Sequence, residues 1–339
     1  MRKSPLARLT VAVFLIGAIS PPSDVSAEDV DGVFEGGAKP RLVLKEGAGE
    51  GPAWHPEFGL FFSGPKGITL LQTSGQTKLF LPEAGSNGLL FSRKGQLLVC
   101  QPGYRRVSRV DVKSGKLQVL TDGYGGKRYN QPNDITVDSK GRIYFSDPKY
   151  GPREGMEMRD ADGREIEGVY RIDLDGSVTR IITHEVDRPN GVVVTEDDRY
   201  LFVADNNNNN KGAARKLWRF NLQADGSVDL KTQKLIYDWR TGRGPDGMVM
   251  DRKGRLYVAG GLNEPNPPNE TADTFKGGVY VFSPEGKRVA FAPVPRDEVT
   301  NCTFGGPDLR TLYITAGGTL WAIRTTTPGR MPWPKSADQ

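Results

Sequence analysis

The amino-acid sequence predicts an all-β fold, a six-bladed β-propeller, on three observations. One strand phrase returns six times, glycine-centred hairpin turns follow most of the copies, and no helical period separates them. The phrase reads GLFFS at 59, GQLLVC at 95, GRIYFSD at 141, RYLFVAD at 199, GRLYVAG at 254 and RTLYITA at 310. Its intervals of 36, 46, 58, 55 and 56 residues suit four-stranded blades joined by loops of unequal length. With 37% hydrophobic residues, 42 glycines and 24 prolines, the chain is too apolar for disorder and too rich in helix breakers for a bundle.

Along the chain, the first element is a leader. Arg2, Lys3 and Arg8 precede or open an apolar run from Leu9 to Ile19, and small residues follow at Val25-Ser26-Ala27. This pattern predicts a signal peptide over residues 1–27 and an exported chain, periplasmic or secreted, with no membrane association once the leader is removed. The remaining residues 28–339 are expected to form a single propeller domain with blades over about 40–327. The segment RLVLKEG from Arg41 supplies a candidate strand to close the last blade against the first part of the chain. Each phrase is then a β-rich run launched from a turn. The DG, EG and SG pairs in GVYRIDLDGSVTRII, VYVFSPEGKRVAF and VSRVDVKSGKLQVL supply the positive φ of tight hairpins.

Charge and cysteine content exclude several functions. Without the leader's three basic residues and one acidic residue, the formal charge falls from +5 to +3, and Lys and Arg are scattered rather than clustered. Such a surface does not track phosphates, so no nucleic-acid partner is expected. Cys100 and Cys302, in apolar strand contexts with no metal-ligand spacing, read as small buried side chains, although export would permit them to pair. His55 and His184 read as structural histidines.

Counting back from each phrase finds one polar residue at nearly one phase. Glu50 lies nine before Gly59, Asn87 eight before Gly95, Asn133 eight before Gly141, Asn190 nine before Arg199, Asp246 eight before Gly254, and Asn301 nine before Arg310. An apolar run such as ITV, GVVV or GMVM follows each one and is expected to be the innermost strand of its blade. The six residues therefore stand at the entrances of six inner strands, which converge on one mouth of the axial channel. A cage of oxygen donors without histidine or cysteine suits Ca²⁺ and tolerates Zn²⁺, Mn²⁺ or Mg²⁺. A plainer explanation competes, because Asn and Asp before Gly are ordinary turn formers. Six in phase, with Glu50 an unusual turn residue, favour a site.

At these positions the sequence resembles the senescence marker protein/gluconolactonase family, also called regucalcin-like, through EGPAW at 50–54, QPNDITVDSKGRIYFSDPKYG at 131–151, RPNGVVVTEDD at 188–198 and PDGMVMDRKGRLYVAG at 245–260. The resemblance implies a six-bladed propeller that holds a divalent metal. It implies Glu50, Asn190 and Asp246 as metal ligands, Asn133 beside the metal directly or through water, and Asp246 as general acid/base. Some members carry arginine where this chain has Gln131, a departure that bears on sugar-acid specificity. Gln131, Asn133, Asp134, Asn87 and Asn301 are expected to line the substrate pocket, and Asp205, at the head of the polar run Asn206–Asn210, is a further candidate substrate contact.

The expected activity is opening of a lactone ring by water. A cation polarises the carbonyl, and Asp246 takes a proton from water and returns one to the ring oxygen. Related propellers that hydrolyse phosphotriesters or aryl esters form one alternative, and a non-catalytic, calcium-stabilised binding propeller forms another. Substrate choice is expected in three long loops, 147–168, 206–216 and 261–277. The sequence is silent on oligomeric state.

Overall fold

The computed structural model describes residue 29 and residues 32–331. The segment read as a signal peptide lies outside the described residues. Six four-stranded antiparallel sheets stand side by side as the blades of a propeller. Blade 1 comprises Glu50–His55, Gly59–Gly64, Gly67–Gln72 and Thr77–Pro82, and blade 2 Leu89–Phe91, Leu97–Gln101, Arg106–Val110 and Leu117–Thr121. Blade 3 comprises Ile135–Val137, Ile143–Asp147, Gly168–Ile172 and Val178–Ile182, and blade 4 Pro189–Val194, Tyr200–Asn206, Arg215–Leu222 and Val228–Asp238. Blade 5 comprises Pro245–Met250, Leu256–Gly260, Gly278–Phe282 and Arg288–Pro293. Blade 6 takes three strands from Val299–Gly305, Thr311–Ala316 and Thr319–Arg324, and its fourth from Arg41–Leu44.

The repeated phrase is the second strand of every blade, as its β-branched and aromatic content predicts. Gly141 and Gly254, which launch two of the copies, hold φ at 89° and 75°, a conformation that a side chain would oppose. Inner strands are buried along most of their length, whereas the outermost strand of blade 1 has no buried residue and is exposed or half-buried throughout. The apolar core therefore lies between neighbouring blades. Between blades 2 and 3, Tyr129, Phe145 and Tyr170 meet at ring separations of 5.1 to 5.4 Å. Burying each such ring contributes about 1.5–3 kcal/mol.

Closure by the Arg41 segment agrees with the sequence expectation: Arg41 pairs with Ala322 and Leu42 with Trp321 in an antiparallel ladder. Phe34 adds a bridge to Thr325. A short hairpin, Gly123–Tyr124 with Lys127–Arg128, was not anticipated, because strands of two residues carry no period. Cys100 and Cys302 are both free and buried.

At the end of the channel away from the inner-strand entrances, buried charges are paired. Asp138 accepts hydrogen bonds from the backbone N–H and Nε of Arg142 and, at 3.1 Å, from the Tyr144 hydroxyl. Asp251 repeats the motif in blade 5, accepting from Arg255 Nε at 2.6 Å and from the Tyr257 hydroxyl at 3.1 Å. The chain's last described residues cross this end. Arg330 donates from its backbone to Met250 O at 3.0 Å and from Nη1 to Val194 O at 2.7 Å, and so caps the channel between blades 4 and 5.

Candidate active site

The inner strands begin where the phase count placed them. Glu50, Asn190, Asp246 and Asn301 lie within the first residues of their inner strands, and Asn87 and Asn133 sit two residues before theirs. At four of the six entrances, what brings neighbours together is the glycine that follows the marked residue: Gly51, Gly88, Gly191 and Gly247. Gly88, Gly191 and Gly247 do not have positive φ, so the Asn-Gly and Asp-Gly pairs are not turns here. A Cβ on Gly191 would stand 2.2 Å from Asp246 O, and one on Gly247 2.0 Å from the Asn301 side chain. Glycine is required because each blade presses its backbone against the marked residue of the next. Blade 3 has Asp134 in the glycine slot, and its Oδ2 accepts the Val192 N–H of blade 4 at 3.1 Å.

The result is a compact set of oxygen donors. Asn133, Asn190, Asp246, Asn301 and Asp134 are each 3 to 6% exposed, while Glu50 and Asn87 are half-buried. The carboxamide oxygens of Asn87, Asn133 and Asn190 are buried without a hydrogen-bond partner. Such atoms cost about 1–3 kcal/mol each unless something else satisfies them. Among the carboxylates, burial and the charges of Asp246 and Asp134 hold Glu50 well above the usual range. Burial pushes Asp134 up to about 7, and Asp246's charge adds to it. Burial likewise pushes Asp246 up to about 6 against the opposing pull of Arg243. Three acids thus share one poorly solvated space, and each resists ionising beside the others.

A divalent cation fits this donor set. It would satisfy the partnerless amide oxygens and neutralise the crowded carboxylates, and all the donors are oxygens, the preference of hard cations. No group of three or more Asp, Glu, His or Cys side chains is gathered as a metal cluster among the described residues, so the cage depends on asparagine. Asn301 hydrogen-bonds towards both Glu50 and Asp134, and its Oδ1 accepts the Cys302 N–H at 2.8 Å. It therefore positions acids.

Three residues at the mouth were not read from the sequence. Arg243, only 5% exposed, reaches Asp246 Oδ2 at 3.3 Å and Glu298 Oε2 at 3.0 Å, with Glu270 Oε1 at 3.7 Å. Burial opposes its charge, yet Asp246, Glu298 and Glu270 together keep the guanidinium firmly protonated. Tyr150 accepts a hydrogen bond from Asn190 Nδ2 at 2.7 Å, and burial raises its pKa. Glu298 completes the rim. Arg243, three before Asp246 in GRGPDG, and Tyr150, in DPKYG, stood in or beside the quoted motifs, but a one-phase count passes over them.

Gln131 does not point its carbonyl at the cage. Its Oε1 accepts the Tyr150 backbone N–H at 2.8 Å and so fixes the loop that carries Tyr150. Asp205, expected as a candidate substrate contact, serves the fold through both oxygens. Its Oδ1 accepts Arg188 N at 2.9 Å, and Oδ2 accepts Asp187 N at 3.1 Å and Trp218 Nε1 at 3.0 Å, so both oxygens are occupied. The polar run behind it is not a simple solvated turn either, since Asn206 and Asn207 are buried. His184 bonds to Asp160 at 2.9 Å, and His55 Nδ1 accepts the Glu57 N–H at 3.1 Å, both away from the cage.

The chain is thus a six-bladed propeller whose channel mouth carries carboxylate and carboxamide oxygens with a guanidinium at the rim. Residues 48–318 match the family described as SMP-30/gluconolactonase/LRE-like region, and the chain belongs to that family. A gluconolactonase of Zymomonas mobilis is 30% identical over 283 residues, covering 81% of this chain and 72% of its own. The solved structure of a gluconolactonase from Xanthomonas campestris matches with a TM-score of 0.70 at 28% identity, covering 86% of this chain and 91% of that one. A regucalcin from Agrobacterium tumefaciens, described as a calcium-binding protein, shares the fold with a TM-score of 0.68 at 18% identity, covering 88% and 98%.

Proposed function

We propose that the chain is a metal-dependent lactonase that opens a sugar-acid lactone at the channel mouth. The observation that carries this reading is the convergence of Glu50 and Asp246 with three buried, partnerless carboxamide oxygens at one place. Gluconolactonase relatives support the reaction class, and the calcium-binding relative supports Ca²⁺ as the cation.

Glu50, Asn190 and Asp246 would hold the ion, with Asn133 beside it directly or through water. When bound, the ion supplies Lewis acidity toward the lactone carbonyl and its developing negative charge. Asp246 accepts a proton from water as the water oxygen bonds to the carbonyl carbon. The ring C–O bond then breaks, and the ring oxygen takes the proton back, leaving a hydroxy acid. Arg243 holds Asp246 Oδ2, which orients the carboxylate and favours its charged form before the proton is taken and after it is returned. Tyr150, on Asn190, keeps that carboxamide turned into the cage.

Asp246→Asn separates catalysis from the fold. Loss of glucono-1,5-lactone hydrolysis with folding retained supports the assignment, and full turnover with calcium still bound removes Asp246 from it. Hydrolysis of a phosphofluoridate but of no lactone would replace the lactonase reading with a phosphotriesterase. Export is part of the same proposal, on the basic and apolar leader, and cell fractionation tests it.

A further inference from the structure

Beside the mouth, between the long loops of blades 3 and 4, lies a second cavity of about 350 Å³ that the lactone chemistry does not use. Its size falls in the range of small-molecule sites. Its inner wall is Arg188, 1% exposed, whose Nε and Nη2 bond to Glu167 at 2.8 and 3.2 Å. Arg188 Nη1 is buried and has no hydrogen-bond partner. A guanidinium with one partnerless N–H edge calls for an oxygen acceptor.

The rest of the lining says which kind. The carboxylates are already engaged, Glu165 and Glu167 by Arg153, and Asp187 by Asn207 Nδ2 at 2.8 Å. An anionic ligand would meet three carboxylates against two guanidinium groups, and a cationic one would leave the Arg188 edge without an acceptor. A neutral, hydroxyl-rich ligand needs only donors and acceptors, and Asn209 and Asn210 add exposed carboxamides to the same wall. The cavity also adjoins the site. Arg188 is two residues from Asn190 and stacks over the Tyr150 ring at 5.3 Å, and the Tyr150 hydroxyl accepts from Asn190.

We propose that this cavity is a subsite for a second sugar unit, so that the substrate class is a glycosylated aldonolactone, with its lactone ring at the cage and its sugar spanning Tyr150 to reach Arg188. The inference rests on the lactonase reading for the identity of the first ring only. The test compares lactobiono-1,5-lactone with glucono-1,5-lactone in the intact protein and in Asn210→Trp, a surface substitution that fills the cavity. Wild type is expected to favour the disaccharide lactone in kcat/KM by about tenfold, and Asn210→Trp to erase that preference. Calorimetry with lactobionate provides a readout independent of turnover, with binding in wild type and none in Asn210→Trp. No preference in wild type, or a ratio that Asn210→Trp leaves unchanged, overturns the subsite. Lactobionate binding that Asn210→Trp removes, with no turnover of either lactone, upholds the subsite and overturns the lactonase reading instead.

Discussion

The two ends of the channel are built from the same blades, yet they treat buried polar groups in opposite ways. At the far end, Asp138 and Asp251 each meet an arginine, a tyrosine and backbone N–H groups of their own turn. At the mouth, Asn87, Asn133 and Asn190 keep carbonyl oxygens with no partner, and three carboxylates crowd together. A fold that satisfies its buried acids at one end has no structural reason to leave the other end open. The difference supports the proposal that something outside the chain completes the hydrogen bonding at the mouth.

Exchanging chemistry at each end sharpens the contrast. Asp246→Asn is expected to lower kcat by about 10² to 10⁴ with little change in Tm, measured by lactone hydrolysis and thermal unfolding. Arg255→Ala does the reverse. It strands Asp251 in the far end and is expected to cost about 3–5 kcal/mol in urea unfolding while folded protein keeps its kcat. Gly247→Ala acts on the geometry of the mouth. Its methyl meets Asn301 and must push blades 5 and 6 apart, costing about 1–3 kcal/mol and weakening calcium binding by calorimetry.

A smaller effect concerns pH. After chelation, Asp134 and Asp246 have folded values near 7 and 6 against an ordinary 3.8, so the folded protein holds more protons than the unfolded chain between about pH 4 and 7. Stability therefore falls as pH rises through that window. The urea midpoint is expected to drop accordingly, and Asp134→Asn with Asp246→Asn to flatten the slope. Calcium added at the upper end of the window should restore part of the loss. A midpoint that rises with pH in the chelated protein would contradict the crowding of these acids.

The fold was legible because it repeats. Six copies of one phrase, each a second strand, fixed blade number and strand order, and the Arg41 run carried enough β character to be read as the closing strand. The ring of polar residues was legible for the same reason, since phase survives variation in loop length. Arg243 and Tyr150 escaped because they occur once, on loops, where no repeat makes them visible. The bonds that Asp205 makes were not legible, because its neighbours in space, Trp218 and the backbone of 187–188, are not its neighbours in the pattern. The glycines after the marked residues misled. As turn formers they would have weakened the site, but in the fold they make the close approach that builds it.

The strand Arg41–Leu44 has a consequence for how the protein comes into being. It is made among the first residues of the propeller and pairs with residues 320–322, near the last, so the ring stays open until nearly the whole chain has been synthesised. Bringing ends so far apart together makes closure slow and late in folding. The same seam is where a protease or a pulling force would first undo it.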